Sequence, residues 1–186
     1  MTFKTIIALI LGAALANNAA FRGFLGVTPV LGFGKNLPKA LPMGVCAAVV
    51  MLLAELVCWP LYDLVLVKAG IGFLQIPAFV GVILAWTYIL NAVSKKFFKK
   101  PLGVCFVLIA LNSAVLGLAL TTLELSFGEA MLTALGTGIG FIVALFAFAG
   151  VSLKLNMNAA FVPKAFKGLP VELLAAGIVS LALFAF

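Results

Sequence analysis

Few side chains in this 186-residue sequence could do chemistry, and nearly all of them sit inside apolar runs. Glu55 lies near the centre of the run 42–66. An ionisable group at that depth costs about 2.5–3.5 kcal/mol on insertion scales unless it is paired or protonated, which makes it an ion-pathway candidate. The plainer reading is a neutral acid hydrogen-bonded to a neighbouring helix. Two polar pairs interrupt other runs: Asn17-Asn18-Ala19 in the first and Asn112-Ser113-Ala114 midway along the fourth. Asp63 falls near the end of its run and is expected at the membrane interface. Glu172 opens the last run, where an acid suits a helix N-terminus.

The chain contains no histidine, which removes the commonest general base and the commonest metal ligand. A Ser–His–Asp triad and a His-based zinc site are therefore impossible within it. Cys46, Cys58 and Cys105 all lie in apolar runs, so no disulfide framework is indicated. Cys46 and Cys58 are about 18 Å apart along a helix, too far for a local metal site, and read as small packing residues. Gly136, Gly138 and Gly140 resemble a phosphate loop only superficially, because no strand precedes them. The Gly136-to-Gly140 spacing is the GxxxG pattern of close helix packing.

The elements that must position these groups follow from composition. Apolar residues make up 66% of the chain, about 123 in number. Six membrane helices need about 120. Charged residues are 9%, against about 25% in soluble domains, and the mean hydropathy is +1.34. A soluble enzyme, a nucleic-acid binder and a disordered linker are excluded. The expected fold is an all-α polytopic membrane protein, a single integral membrane domain over residues 1–186.

Reading between charges and breaks predicts spans at 3–27, 42–66, 71–93, 102–123, 130–153 and 169–186. Lys4, the apolar run to Ala14 and then Ala14-Leu15-Ala16 imitate a secretory signal. The run continues past the Asn pair, so an uncleaved first span is expected. Nine lysines (35, 39, 95, 96, 99, 100, 154, 164 and 167) fall on one side and two, Lys4 and Lys68, on the other, with Arg22 left at the first span. The positive-inside rule then places loops one, three and five in the cytoplasm and both termini outside.

The first run is longer than one span requires, and Gly23 to Gly34 carries four glycines and Pro29. A broken helix or re-entrant turn fits that composition, as does a long helix kinked at Pro29. Each half of the chain holds three spans, so an internal duplication, about 1–95 and 96–186, is inverted in the membrane. The two polar pairs occupy corresponding places in the halves. A 3+3 inverted repeat with interrupted spans one and four puts the functional site near the bilayer midplane, with Asn17, Asn18, Asn112 and Glu55 as polar candidates.

Three strings carry a family resemblance. Leu15-Ala16-Asn17-Asn18, followed by Phe24-Leu25-Gly26-Val27-Thr28-Pro29-Val30-Leu31-Gly32, resembles the L-V-N-N and F-L-G-x-C-P-x-x-G signature of the RnfA/NqrE membrane subunits. Leu111-Asn112-Ser113-Ala114-Val115-Leu116-Gly117 is similar to the family's T-N-C-A-V-L-G. Val162 to Gly168, then Ala176 to Ala182, resembles its last loop and span. The resemblance covers nearly the whole chain.

The resemblance implies an inner-membrane subunit of an Rnf or Nqr complex, which couples electron transfer from the ferredoxin or NADH side to Na⁺ or H⁺ translocation. It implies a homologous six-span partner of opposite topology and further complex subunits, with no catalytic residue in this chain itself. It also implies a [2Fe–2S] cluster at the membrane centre, with two cysteines from each partner. At those ligand positions this sequence has Thr28 and Ser113. Clusters are held by soft thiolates, and hydroxyls replace them poorly. The cluster is therefore absent, or held by the partner with unusual ligands, or the chain is a diverged homologue. A non-redox transporter or scaffold, with Asn18, Thr28, Asn112 and Ser113 as an oxygen-rich cation site, is the alternative.

Overall fold

The computed structural model describes residues 3–16, 18, 23, 25–26, 37–98, 104–157, 163 and 166–184. Helix α1 (Phe3–Leu11) widens into a π-helical turn, Gly12–Ala16. Helix α2 (Leu37–Leu61) ends likewise in a π-turn, Tyr62–Leu66. A 3₁₀ turn, Gly72–Leu74, leads into α3 (Gln75–Phe98). Then come α4 (Val104–Ala110), α5 (Ser113–Thr121), α6 (Phe127–Met157) and α7 (Leu169–Phe184). The described residues contain no strand. The chain is an all-helical, multi-pass membrane protein.

Three stretches are long and apolar enough to cross a bilayer unaided: Ala40–Leu66, Gly72–Lys96 and Phe127–Leu155. Lys4–Leu15, Val107–Thr121 and Leu169–Ala182 are shorter apolar helices. Span four is interrupted, as its polar pair predicts, between α4 and α5. In span one the described helical turns run to Ala16, and Leu25 and Gly26 form a turn. Most of the glycine-rich stretch, with Pro29, lies outside the described residues.

Boundaries differ from the sequence reading in three places, one of them the end of α3, at Phe98 rather than 93. Helix α2 starts at Leu37, not 42, and runs through Pro42. Pro38 sits in the first turn, where no intrahelical N–H is needed, and Pro42 removes only one bond further on. Pro60 precedes the π-turn by two residues and removes one further helical bond, to the carbonyl of Leu56. Helix α6 has 31 residues and overruns the predicted 130–153 at both ends. At about 46 Å it exceeds the hydrocarbon core, so its polar ends reach the interface. Its start is a capping box: Ser126 N–H and Oγ both donate to Glu129 Oε2, at 3.2 and 2.8 Å.

Helix α6 is the spine of the bundle, and its glycines explain why. A Cβ on Gly136 would meet the Ile10 carbonyl at 2.5 Å, and one on Gly140 the Ala14 carbonyl at 2.6 Å. A Cβ on Gly138 would instead meet Ala48 Cβ at 3.0 Å. Residues two apart face opposite sides of a helix, so Gly136 and Gly140 admit α1 and its π-turn while Gly138 admits α2. The order of contacts gives the directions. Ile10 pairs with Gly136 and Ala14 with Gly140, so α1 runs parallel to α6. Gly44 meets Leu145, Ala48 meets Gly138, and Trp59 meets Phe127, so α2 runs antiparallel. The core between α2, α3, α4, α5 and α6 is filled by Met51, Phe79, Ile109, Val115 and Phe141. Leu, Ile and Val side chains such as Ile178 and Leu181 cover the outside.

Candidate functional site

The break in span four is built by Asn112. Its backbone is extended, with φ −77° and ψ 113°, so α4 cannot continue through it. Its side chain accepts a hydrogen bond from the Ala114 N–H at 2.9 Å and so caps α5. The Nδ2 of the same amide is buried and has no hydrogen-bond partner among the described residues. Ser113, the next residue, accepts a 2.9 Å hydrogen bond from the Gly26 N–H, which comes from the turn after span one. Gly26 has φ +76°, and a Cβ there would lie 2.6 Å from the Phe141 ring and 2.9 Å from Asn112 Oδ1. Only glycine satisfies both the conformation and the space.

Asn18 belongs to the same neighbourhood. Its amide donates to the carbonyls of Ala14 and Gly140, both at 2.9 Å, and the side chain is buried. Gly140 holds Asn18 and Phe141 packs on Gly26, so consecutive residues of α6 bring Asn18 of span one and the Asn–Ser pair of span four to one level. The expected meeting of spans one and four is thus present in Asn18, Gly26, Asn112 and Ser113. Asn17 and Thr28 lie outside the described residues. The donor set seen at the junction is a serine hydroxyl and two carboxamides. The thiols of Cys46 and Cys58 are carried elsewhere, on α2.

Glu55 sits apart. It is 1% exposed, and the Thr122 hydroxyl donates to its Oε1 at 2.7 Å while Oε2 has no partner among the described residues. Glu55 is thus hydrogen-bonded to the residue that caps the end of α5, with one oxygen left over. Thr122 follows Ser113 by nine residues, about 14 Å along the chain axis, so Glu55 does not share the junction. Asp63 is exposed in the π-turn, and Glu172 is buried in the first turn of α7.

A cavity of about 550 Å³ lies between α1 with its π-turn, α5 and α6. Its polar wall is Asn18, Thr121, Thr122, Thr133 and Thr137. Sequence reasoning missed all four threonines. The adjacent Thr121 and Thr122 in an otherwise apolar run were a visible signal, but threonine is too common in membrane helices for the pair to stand out alone.

Paired helix breaks, joined across a close-packed helical bundle, define a polytopic membrane subunit with a polar centre. A family model described as "Rnf-Nqr subunit, membrane protein" matches residues 6–186. The chain is 36% identical over 188 residues to the A subunit of the ion-translocating oxidoreductase complex of Syntrophotalea carbinolica, covering 98% of this chain and 96% of that protein. It is 35% identical over 187 residues to the A subunit of the Na(+)-translocating ferredoxin:NAD(+) oxidoreductase complex of Acetobacterium woodii, with the same coverage, 98% and 96%. The corresponding protein of an Azoarcus species is 36% identical over 183 residues, covering 96% of this chain and 94% of its own length. The chain belongs to the Rnf–Nqr membrane-subunit family.

Proposed function

We propose that this chain is the RnfA-type membrane component of an ion-translocating oxidoreductase complex in the cell (inner) membrane, where it couples electron transfer to Na⁺ or H⁺ movement. The full-length match to relatives named for such complexes carries the reading. The Gly26–Ser113 hydrogen bond supports it, because it joins the two motifs through which the chain resembles the family. Its partner is a homologous six-span protein of opposite topology, and both termini of this chain face outward.

The junction suits a [2Fe–2S] cluster poorly. Ser113 offers a neutral hydroxyl that already accepts the Gly26 N–H, and Thr28 is a second hydroxyl. A serine ligates iron only as an alkoxide, and burial disfavours that charge. This chain supplies no thiolate at the two family positions, so the centre is either completed by other chains or given over to oxygen chemistry. The hydroxyl and amide oxygens are the observation that keeps the non-redox transporter or scaffold as the second reading; they suit a hard cation.

The test is purification of the tagged chain from its native membrane, with identification of its companions and iron analysis of the assembly. Co-purifying redox subunits, together with ion uptake by vesicles that depends on electron donor and on this chain, are expected. A chain isolated without redox companions, from membranes whose donor-driven ion uptake survives its deletion, would overturn the reading.

A further inference from the structure

The threonine-walled cavity and the half-satisfied Glu55 are adjacent, and the function above uses neither. Thr122 belongs to both: it lines the cavity, and its hydroxyl touches Glu55 Oε1 at 2.7 Å. The cavity runs from the level of Gly117 and Asn18 to that of Leu125 and Thr133, about 12 Å along α5 and the turn after it. Four threonines and Asn18 are among the residues that line this space of about 550 Å³. The rest of its wall is apolar and the space is half open, but it is roomy enough to hold on the order of ten waters, anchored on these polar residues.

We propose that this cavity is a water-filled route by which protons reach and leave Glu55, with the Thr122 hydroxyl as the last link. The proposal rests on the chain being embedded in the membrane, independently of its redox companions. A hydroxyl has one proton and two lone pairs. Thr122 Oγ1 lies 2.7 Å from Glu55 Oε1 and 2.9 Å from the Leu118 carbonyl, so its single proton serves only one of them. With Glu55 ionised, the hydroxyl donates to the carboxylate. With Glu55 protonated, the acid donates to Thr122 and the hydroxyl turns to Leu118. An excess proton on cavity water passes to Thr122 Oγ1 as the hydroxyl's own proton passes to Glu55 Oε1, leaving neutral water and a neutral acid; the hydroxyl, now carrying the water's proton, then turns to Leu118.

The surroundings favour a proton over a metal cation. Among the described residues, Thr122 is the one side chain bonded to Glu55, whereas hard metal cations gather about six oxygens. Nor does a described charged side chain compete. On the elements packed against α2, Lys95 and Lys96 end α3, Glu129 and Lys154 sit at opposite ends of α6, and Asp63 is exposed in the π-turn. None of these is bonded to Glu55. Cys58, one turn along α2, is a titratable neighbour of Glu55 among the described residues.

The purified complex in lipid nanodiscs, exchanged from H₂O into D₂O under infrared spectroscopy, tests this without turnover. A protonated-carboxyl band that vanishes in Glu55→Gln identifies the group and separates it from the buried Glu172. In the parent the band is expected to shift to its deuterated position promptly. Thr122→Val should slow that shift at least about tenfold, the scale of one lost hydrogen bond. Gly12→Leu gives the second arm: Gly12 lines the cavity, and its Cβ direction is open, with nothing within 4 Å. It should slow exchange while leaving the Thr122–Glu55 bond in place. Absence of a Glu55-dependent band at every pH tried would overturn the proposal, as would exchange as fast as the parent's in Gly12→Leu. Loss of the band on replacing choline by Na⁺ at fixed pH would replace the proton with a metal cation. Failure of the redox reading would leave all of these outcomes legible.

Discussion

Gly26 and Ser113 meet through one hydrogen bond, and substitutions on its two sides separate packing from chemistry. Gly26→Ala forces a Cβ into the left-handed region, at about 1–2 kcal/mol, and against the Phe141 ring. We expect lowered thermal stability and weaker recovery of the assembled complex, measured by unfolding in detergent and by co-purification. Ser113→Ala removes only the acceptor and should cost about 0.5–1.5 kcal/mol with assembly retained. The paired variant Thr28→Cys, Ser113→Cys addresses the relay. An iron-dependent [2Fe–2S] signal absent from the parent assembly and present in the double variant is the expected outcome. A normal signal in the parent that disappears when Cys105 is replaced would show that the ligands lie elsewhere in this chain.

The glycines of α6 make the sharpest prediction among the helices. Gly140→Ala drives a methyl into the Ala14 carbonyl, and overpacking of this kind costs about 1–3 kcal/mol. Gly150→Ala meets nothing within 4 Å and serves as the control, gaining helix propensity of up to about 1 kcal/mol. Melting temperatures of the two variants should therefore move in opposite directions. The GxxxG spacing was readable from the residues, and so was the interruption at Asn112-Ser113, because a polar pair inside an apolar run contributes little to packing against lipid. The role of Gly138 was not readable. A third glycine between the two has meaning only once a second helix is known to lie on the opposite face. The cavity escaped for the same reason: its threonines sit on α5 and α6, and no spacing within either helix reveals that they share a space. Glu55 drew notice by its type, but its partner Thr122 is 67 residues away in sequence.

For the molecule as a whole, the parallel α1 and α6 and the antiparallel α2 are what alternating crossings require in either orientation, and the lysines that end α3 and α6 set the one expected. Both helices run the same way if nine of the lysines face the cytoplasm. Impermeant thiol labelling of Phe97→Cys and Ser126→Cys tests the assignment: position 97 should react only from the cytoplasmic side and position 126 only from the outside. The reverse pattern would invert the topology. A second consequence concerns time. Asn18 is bonded to a carbonyl 122 residues later in the chain. At ribosomal speeds of about 5–20 residues per second, span one waits roughly 6 to 24 seconds for α6 to be made. During that interval its amide lies in or near the bilayer with only Ala14 of its two acceptors available. The bond to Gly140 is thus a late one, closed only when the fifth span arrives beside a first span already made.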